Sequence, residues 1–156
     1  MRKLKLYLET SAWNFYYAED APEKQAITRQ FFARLPNYEI FISELVHKEI
    51  ARAKPERKRI LSNLIEQHHP ADLIINEAVL TLAASYRNKG VLPVKAVNDS
   101  IHAAIATVYE MDALISWNLR HLANLNRMQK INEVNLIQGY SRNLELITPV
   151  EVADAI

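Results

Sequence analysis

The chain has 156 residues, is 49% apolar and 24% charged, and contains no cysteine and two glycines; that suits a single domain over residues 1–156 with a real core. Without cysteine there is no disulfide, thiolate metal site or thiol nucleophile, and Gly90 and Gly139 stand too far apart to form a phosphate-cradling loop. Nineteen Lys and Arg against eighteen Asp and Glu leave a net charge of +1, no polyanion-binding signature in itself, and with neither a signal-peptide stretch nor a bilayer-length apolar run the expected location is the cytoplasm, with no membrane partner.

In chain order, short β-rich runs alternate with amphipathic segments. The first strand is expected at Leu4–Leu8, and Glu9-Thr10-Ser11 follows it directly. Pro22 suits a first helical turn that puts Ile27, Phe31, Phe32 and Leu35 on one face. A second strand, Tyr38–Ile42, leads to Ser43, a natural cap for the helix after it. Ile60, Leu61, Leu64 and Ile65 mark a helix that stops near Pro70, followed by a strand at Leu73–Ile75. Asn76 caps a helix ending before Gly90, Asn98 opens the most apolar helix, and Ala113–Trp117 forms the fourth strand. Gly139 closes a later helix, and Leu144–Ile147 is the fifth strand. Thr148, Pro149 and Glu151 form a capping box for a last helix. The pattern predicts an α/β fold, Rossmann-like, with a central, mostly parallel five-stranded sheet flanked by helices on both faces. In such sheets sites gather beyond the carboxyl ends of the strands, where strand order reverses.

Three carboxylates stand out on that edge. Glu9 ends a buried strand, so it must be solvated, paired or bound to a cation unless it simply serves the next helix as a first-turn acid. On the helix Glu44–Ala53, a step of roughly 100° per residue puts Glu49 inside the stripe of Leu45, Val46, Ile50 and Ala53. A buried salt bridge is the plain alternative there. Asp99 opens a segment with no further full charge before Glu110, at the positive end of the helix dipole. His102, one turn on, reads as an orienter of Asp99, a phosphate contact or a hydrogen-bonded core histidine. Asn118 follows the fourth strand, either as a cap or as an amide facing a site. Clustered carboxylates without cysteine suit hard divalent cations such as Mg²⁺ or Mn²⁺.

The ordered motifs Tyr7-Leu8-Glu9-Thr10-Ser11, Ile42-Ser43 with Glu49, Asn98-Asp99-x-x-His102-Ala103-x-Ile105-Ala106 and Ser116-Trp117-Asn118-x-x-His121 resemble a PIN domain. More narrowly they are similar to the VapC-type toxins of toxin–antitoxin modules. The resemblance implies a PIN-like fold and a Mg²⁺- or Mn²⁺-dependent ribonuclease that hydrolyses RNA, dimerises and is inhibited by an antitoxin protein. It places Glu9, Glu49 and Asp99 at the first three acidic, metal-holding positions and Asn118 at the fourth, with Thr10 or Ser11 at the hydroxyl position beside the first acid. Glu9 stands where the family usually has Asp, and Asn118 is neutral where an Asp is frequent. A catalytically weakened module that binds RNA or a protein is the alternative reading.

Other features have plain readings beside functional ones. Arg120 and His121 are the candidate phosphate contacts. The basic run Arg52, Lys54, Arg57, Lys58 and Arg59 reads as a solvated face or an RNA contact. Trp13, Phe15, Tyr16 and Tyr17 read as core or as base-stacking residues. His68 and His69 complement a helix end, and Asp112 is structural.

Overall fold

The computed structural model describes residues 2–153. Strands β1 (Lys5–Leu8), β2 (Glu39–Ser43), β3 (Ala71–Leu73), β4 (Ala113–Ile115) and β5 (Glu145–Ile147) form one sheet in the order β3-β2-β1-β4-β5. Every pairing is parallel. Parallel neighbours need crossovers, and the intervening residues supply them as helices. These are α1 (Thr10–Asn14), α2 (Pro22–Ala33), α3 (Glu44–Ala51), α4 (Pro55–His68), α5 (Glu77–Asn88), α6 (Val97–Val108), α7 (Leu125–Ile137) and α8 (Pro149–Ala153).

Strand order fixes the layers. From β1 the chain steps outward through β2 to β3, then returns across the sheet to β4 and β5. With right-handed crossovers this reversal sends α1 to α4 to one face and α5 to α7 to the other. The helix contacts agree: α2 packs on α8 and α1 on α4, whereas α5 packs on α6 and α7. Leu6, Tyr7 and Leu8 of β1 and Leu114 and Ile115 of β4 are buried at the centre of a single hydrophobic cluster. The switch point lies between β1 and β4.

Local signals account for the ends. Ser43 accepts from Leu45 N at the start of α3, and Asn76 accepts from Val79 N at the start of α5. Gly90 (φ +72°) and Gly139 (φ +94°) occupy the left-handed positions after α5 and α7. Glu151 accepts from the Thr148 backbone and hydroxyl while Thr148 Oγ1 accepts from Val150 N, closing the box at α8.

Several boundaries shift, the fourth strand ending at Ile115 rather than Trp117 among them. The third strand is Ala71–Leu73 rather than Leu73–Ile75. As an edge strand it needs no continuous apolar run, and its pairing of Asp72 with Ile42 keeps it two residues earlier. The apolar helix α6 begins at Val97 with Ala96 at its cap, not at Asn98; the Asn98 amide instead crosses to Glu49. No helix among the described residues is long and apolar enough to cross a membrane.

Candidate functional site

Register builds the site. Leu8 pairs with Ile115, so the next residue on each strand, Glu9 and Ser116, emerge side by side at the switch point. The Glu9 carboxylate, 6% exposed, accepts from Ser116 Oγ at 2.7 Å and from Ser11 Oγ at 2.5 Å, both on Oε1. Ser11 in turn accepts from Trp117 N, and Ser116 from Asn118 N. The two serines thus lock the ends of β1 and β4 while they orient one carboxylate.

Glu49 reaches the same place from α3. Its Oε1 accepts from Thr10 Oγ1 at 2.5 Å and faces His102 Nε2 at 2.7 Å; its Oε2 accepts from the Asn98 amide at 3.2 Å. Burial alone pushes this carboxyl up, but the hydrogen bonds and charge of His102, with those from Thr10 and Asn98, hold it below the ordinary glutamate range.

His102 is fully buried, so it cannot act as an exposed phosphate contact, and it turns toward Glu49 rather than Asp99. Its Nδ1 lies 2.7 Å from the Tyr7 hydroxyl, which lies 2.8 Å from Ser43 Oγ. Burial alone lowers the imidazole pKa; the bond to Glu49 and the charges of Glu9, Glu49 and Asp99 outweigh it and raise it. Burial raises the Tyr7 hydroxyl well above its usual value, so it stays a neutral donor and acceptor.

Ligand atoms of Glu9, Glu49 and His102 all lie within 4.8 Å of one another. Asp99 stands beside this group, with Oδ1 accepting from the Asn118 amide at 3.1 Å and Oδ2 2.9 Å from His121 Nδ1. Asn118 also accepts from His121 N, three residues on, capping a single turn that no helix continues. Arg120 is exposed next to it. Thr10 and Ser11, the candidates for the hydroxyl position beside the first acid and for substrate contact, donate to Glu49 and Glu9 respectively.

Sequence reasoning did not single out Tyr7, Ser43, Asn98 and Ser116 as members of the site. Ser43 and Ser116 carried a visible signal, a hydroxyl at the end of an otherwise apolar strand. Among the other candidates, Trp13 is wholly buried against Phe32 and His68, which excludes base stacking. Arg57 ties the backbone carbonyls of Asn14 and Tyr17 to α4, while Lys54 and Lys58 stay exposed. His68 packs on aromatic rings, and burial lowers its pKa, so it does not serve as a charged complement to the helix end.

No protein-family model matches the sequence, and no curated protein does. Among solved structures, the chain is similar to one in the crystal structure of VapBC2 from Rickettsia felis bound to a DNA fragment from their promoter. The TM-score is 0.56 at 13% identity, with 91% of this chain and 98% of that chain covered. The fold is PIN-like. At that identity the likeness concerns the backbone path; what the side chains do rests on the geometry above.

Proposed function

We propose that the chain is a Mg²⁺- or Mn²⁺-dependent endoribonuclease that hydrolyses RNA phosphodiester bonds, works as a toxin in the cytoplasm, forms a homodimer and is inhibited by an antitoxin protein. The observation that carries the reading is Glu9. It is a carboxylate buried at the switch point, and among the described residues its hydrogen-bond donors are two neutral serines. Such a position is costly for a bare charge and suits a bound cation. The donor chemistry fits a small divalent ion: carboxylate oxygens of Glu9 and Glu49 converge, no thiolate is present, and Asp99 adds a third negative charge alongside.

When bound, the ion supplies charge neutralisation at the scissile phosphate and a lowered pKa for the attacking water. The chain's own residues prepare the rest. Ser11 and Ser116 hold Glu9, and Thr10, Asn98 and His102 hold Glu49. Asn118 and His121 hold Asp99 oriented at the start of α6. Arg120, exposed beside Asn118, is the proposed contact for the RNA backbone. A toxin–antitoxin role agrees with the shared fold of a chain from a VapBC2 complex. One observation favours a second reading, a non-cleaving module: Asn118 is neutral and occupies one oxygen of Asp99.

The test is cleavage of RNA by purified protein with Mg²⁺ or Mn²⁺, beside Glu49→Gln and Asp99→Asn. Each variant keeps the side chain's shape and removes its charge. Rates should fall at least about 100-fold, since even outer residues of metal sites cost 10–100-fold, while the circular dichroism spectrum is retained. Wild-type protein that cleaves no RNA with either metal, or variants that cleave as well as it does, would sink the assignment. RNA binding without cleavage would establish the second reading.

A further inference from the structure

A fully buried histidine turns its Nε2 to Glu49, with Glu9 close by. Resting on the metal-dependent reading, we infer that His102 is itself a ligand of the divalent ion, giving a two-carboxylate, one-imidazole set with Glu9 and Glu49, and that the site prefers Mn²⁺ or another first-row divalent ion to Mg²⁺.

Three observations carry this. A ring nitrogen of His102 and carboxylate oxygens of Glu9 and Glu49 form a mutually close group, within 4.8 Å, to which Asp99 does not belong. Neighbouring ligands of an octahedral ion at about 2.1 Å sit about 3 Å apart, and Nε2 lies 2.7 Å from Glu49 Oε1, so small side-chain adjustments open the gap. Finally, the other ring nitrogen has the kind of partner that metal-bound histidines carry. The Tyr7 hydroxyl, held by Ser43, serves either tautomer of the ring. With a proton on Nε2 facing Glu49, Tyr7 donates to Nδ1. With Nε2 offering its lone pair to a cation, Nδ1–H donates to the Tyr7 oxygen. Imidazole suits the later first-row ions, and Mn²⁺, which opens that series, accepts nitrogen more readily than Mg²⁺, which keeps to oxygen. Tyr7 is a positioning residue, acting through His102.

The experiment loads the full chain with Mn²⁺ alone and records pulsed electron paramagnetic resonance, with calorimetric titrations of Mn²⁺ and Mg²⁺. Wild type should show coupling to a directly bound ¹⁴N nucleus that changes when the histidines are labelled with ¹⁵N. The coupling should vanish in His102→Gln and persist in His121→Gln and Tyr7→Phe. Mn²⁺ affinity should fall about 10–100-fold in Tyr7→Phe and at least as far in His102→Gln, with Mg²⁺ affinity much less affected. Bound Mn²⁺ without nitrogen coupling, or coupling that survives His102→Gln, overturns the inference and leaves the nuclease reading standing. No binding of either ion, together with no RNA cleavage, overturns both. The wild-type spectrum and the His121→Gln control decide the matter even where His102→Gln does not fold.

Discussion

Glu9 and Asp112 show how differently one fold treats two carboxylates at opposite ends of neighbouring strands. Glu9, at the carboxyl end, is met by hydroxyls alone among the described residues, whereas Asp112, at the amino end, is clamped by charge. Asp112 accepts from both terminal nitrogens of Arg2, from Arg142 and from Lys5 N. The Arg2 hydrogen bonds, aided by Lys5 N and Arg142, hold its carboxyl down to about 2. In an unfolded chain the same group titrates near 3.9, roughly. The folded state therefore gains from ionised Asp112 at every pH above that value, and the gain disappears as pH falls through the folded pKa. Asp112→Asn should accordingly flatten the loss of stability between about pH 4 and about pH 2, measured by denaturant titration at each pH; a wild-type acid limb unchanged by the substitution would contradict the clamp. Both carboxylates were visible in the sequence as charges flanking apolar strands. Their partners were not, because Arg2 and Ser116 meet them through tertiary contact.

Among the elements, the helix starts were the most legible parts of the chain. Ser43, Asn76 and the Thr148–Glu151 box all cap as their side-chain chemistry requires, since a cap depends on residues within one turn. Asn98 shows the limit of that reasoning. It has the side chain of a cap, yet α6 starts one residue earlier and Asn98 bonds to Glu49 on α3. A long-range carboxylate outcompeted the local backbone. Asn76, whose side chain bonds to Val79 N, gives the clean local test. Asn76→Ala should cost about 1 kcal/mol, a fall in Tm of about 2–4 °C for a chain this long, with RNA cleavage and metal affinity unchanged. A cost near zero in thermal unfolding would mean that the bond to Val79 N contributes nothing.

For the whole molecule, alternation of strands and helices was enough to foresee the layers, and it placed Glu9, Ser43, Asn76 and Asn118 after strands. It gave no sign of how α5, α6 and α7 are held together. The Tyr86 hydroxyl, on α5, bonds to Thr107 on α6 and Asn135 on α7, all three buried. In the sequence Tyr86 reads as one more apolar-face residue, and Asn135 as a polar interruption. Tyr86→Phe keeps the ring and leaves the Asn135 oxygen without its donor. The expected cost is about 1–3 kcal/mol, seen in chemical denaturation as a lower midpoint with an unchanged slope. An unaffected midpoint would show that the polar triad is dispensable.

The central position of β1 has a consequence for the order in which the protein comes into being. The first strand made is the one that must wait for both neighbours: β2 follows at once, but β4 arrives far later. Glu9 meets Ser116 across 107 residues, and Tyr7 meets His102 across 95. A growing chain emerges from the ribosome amino end first, so until β4 has been made it holds Glu9 without the serine that completes the pocket. No amino-terminal fragment ending before β4 contains the whole constellation. The chemistry proposed for this chain therefore begins only when the sheet closes on its own first strand.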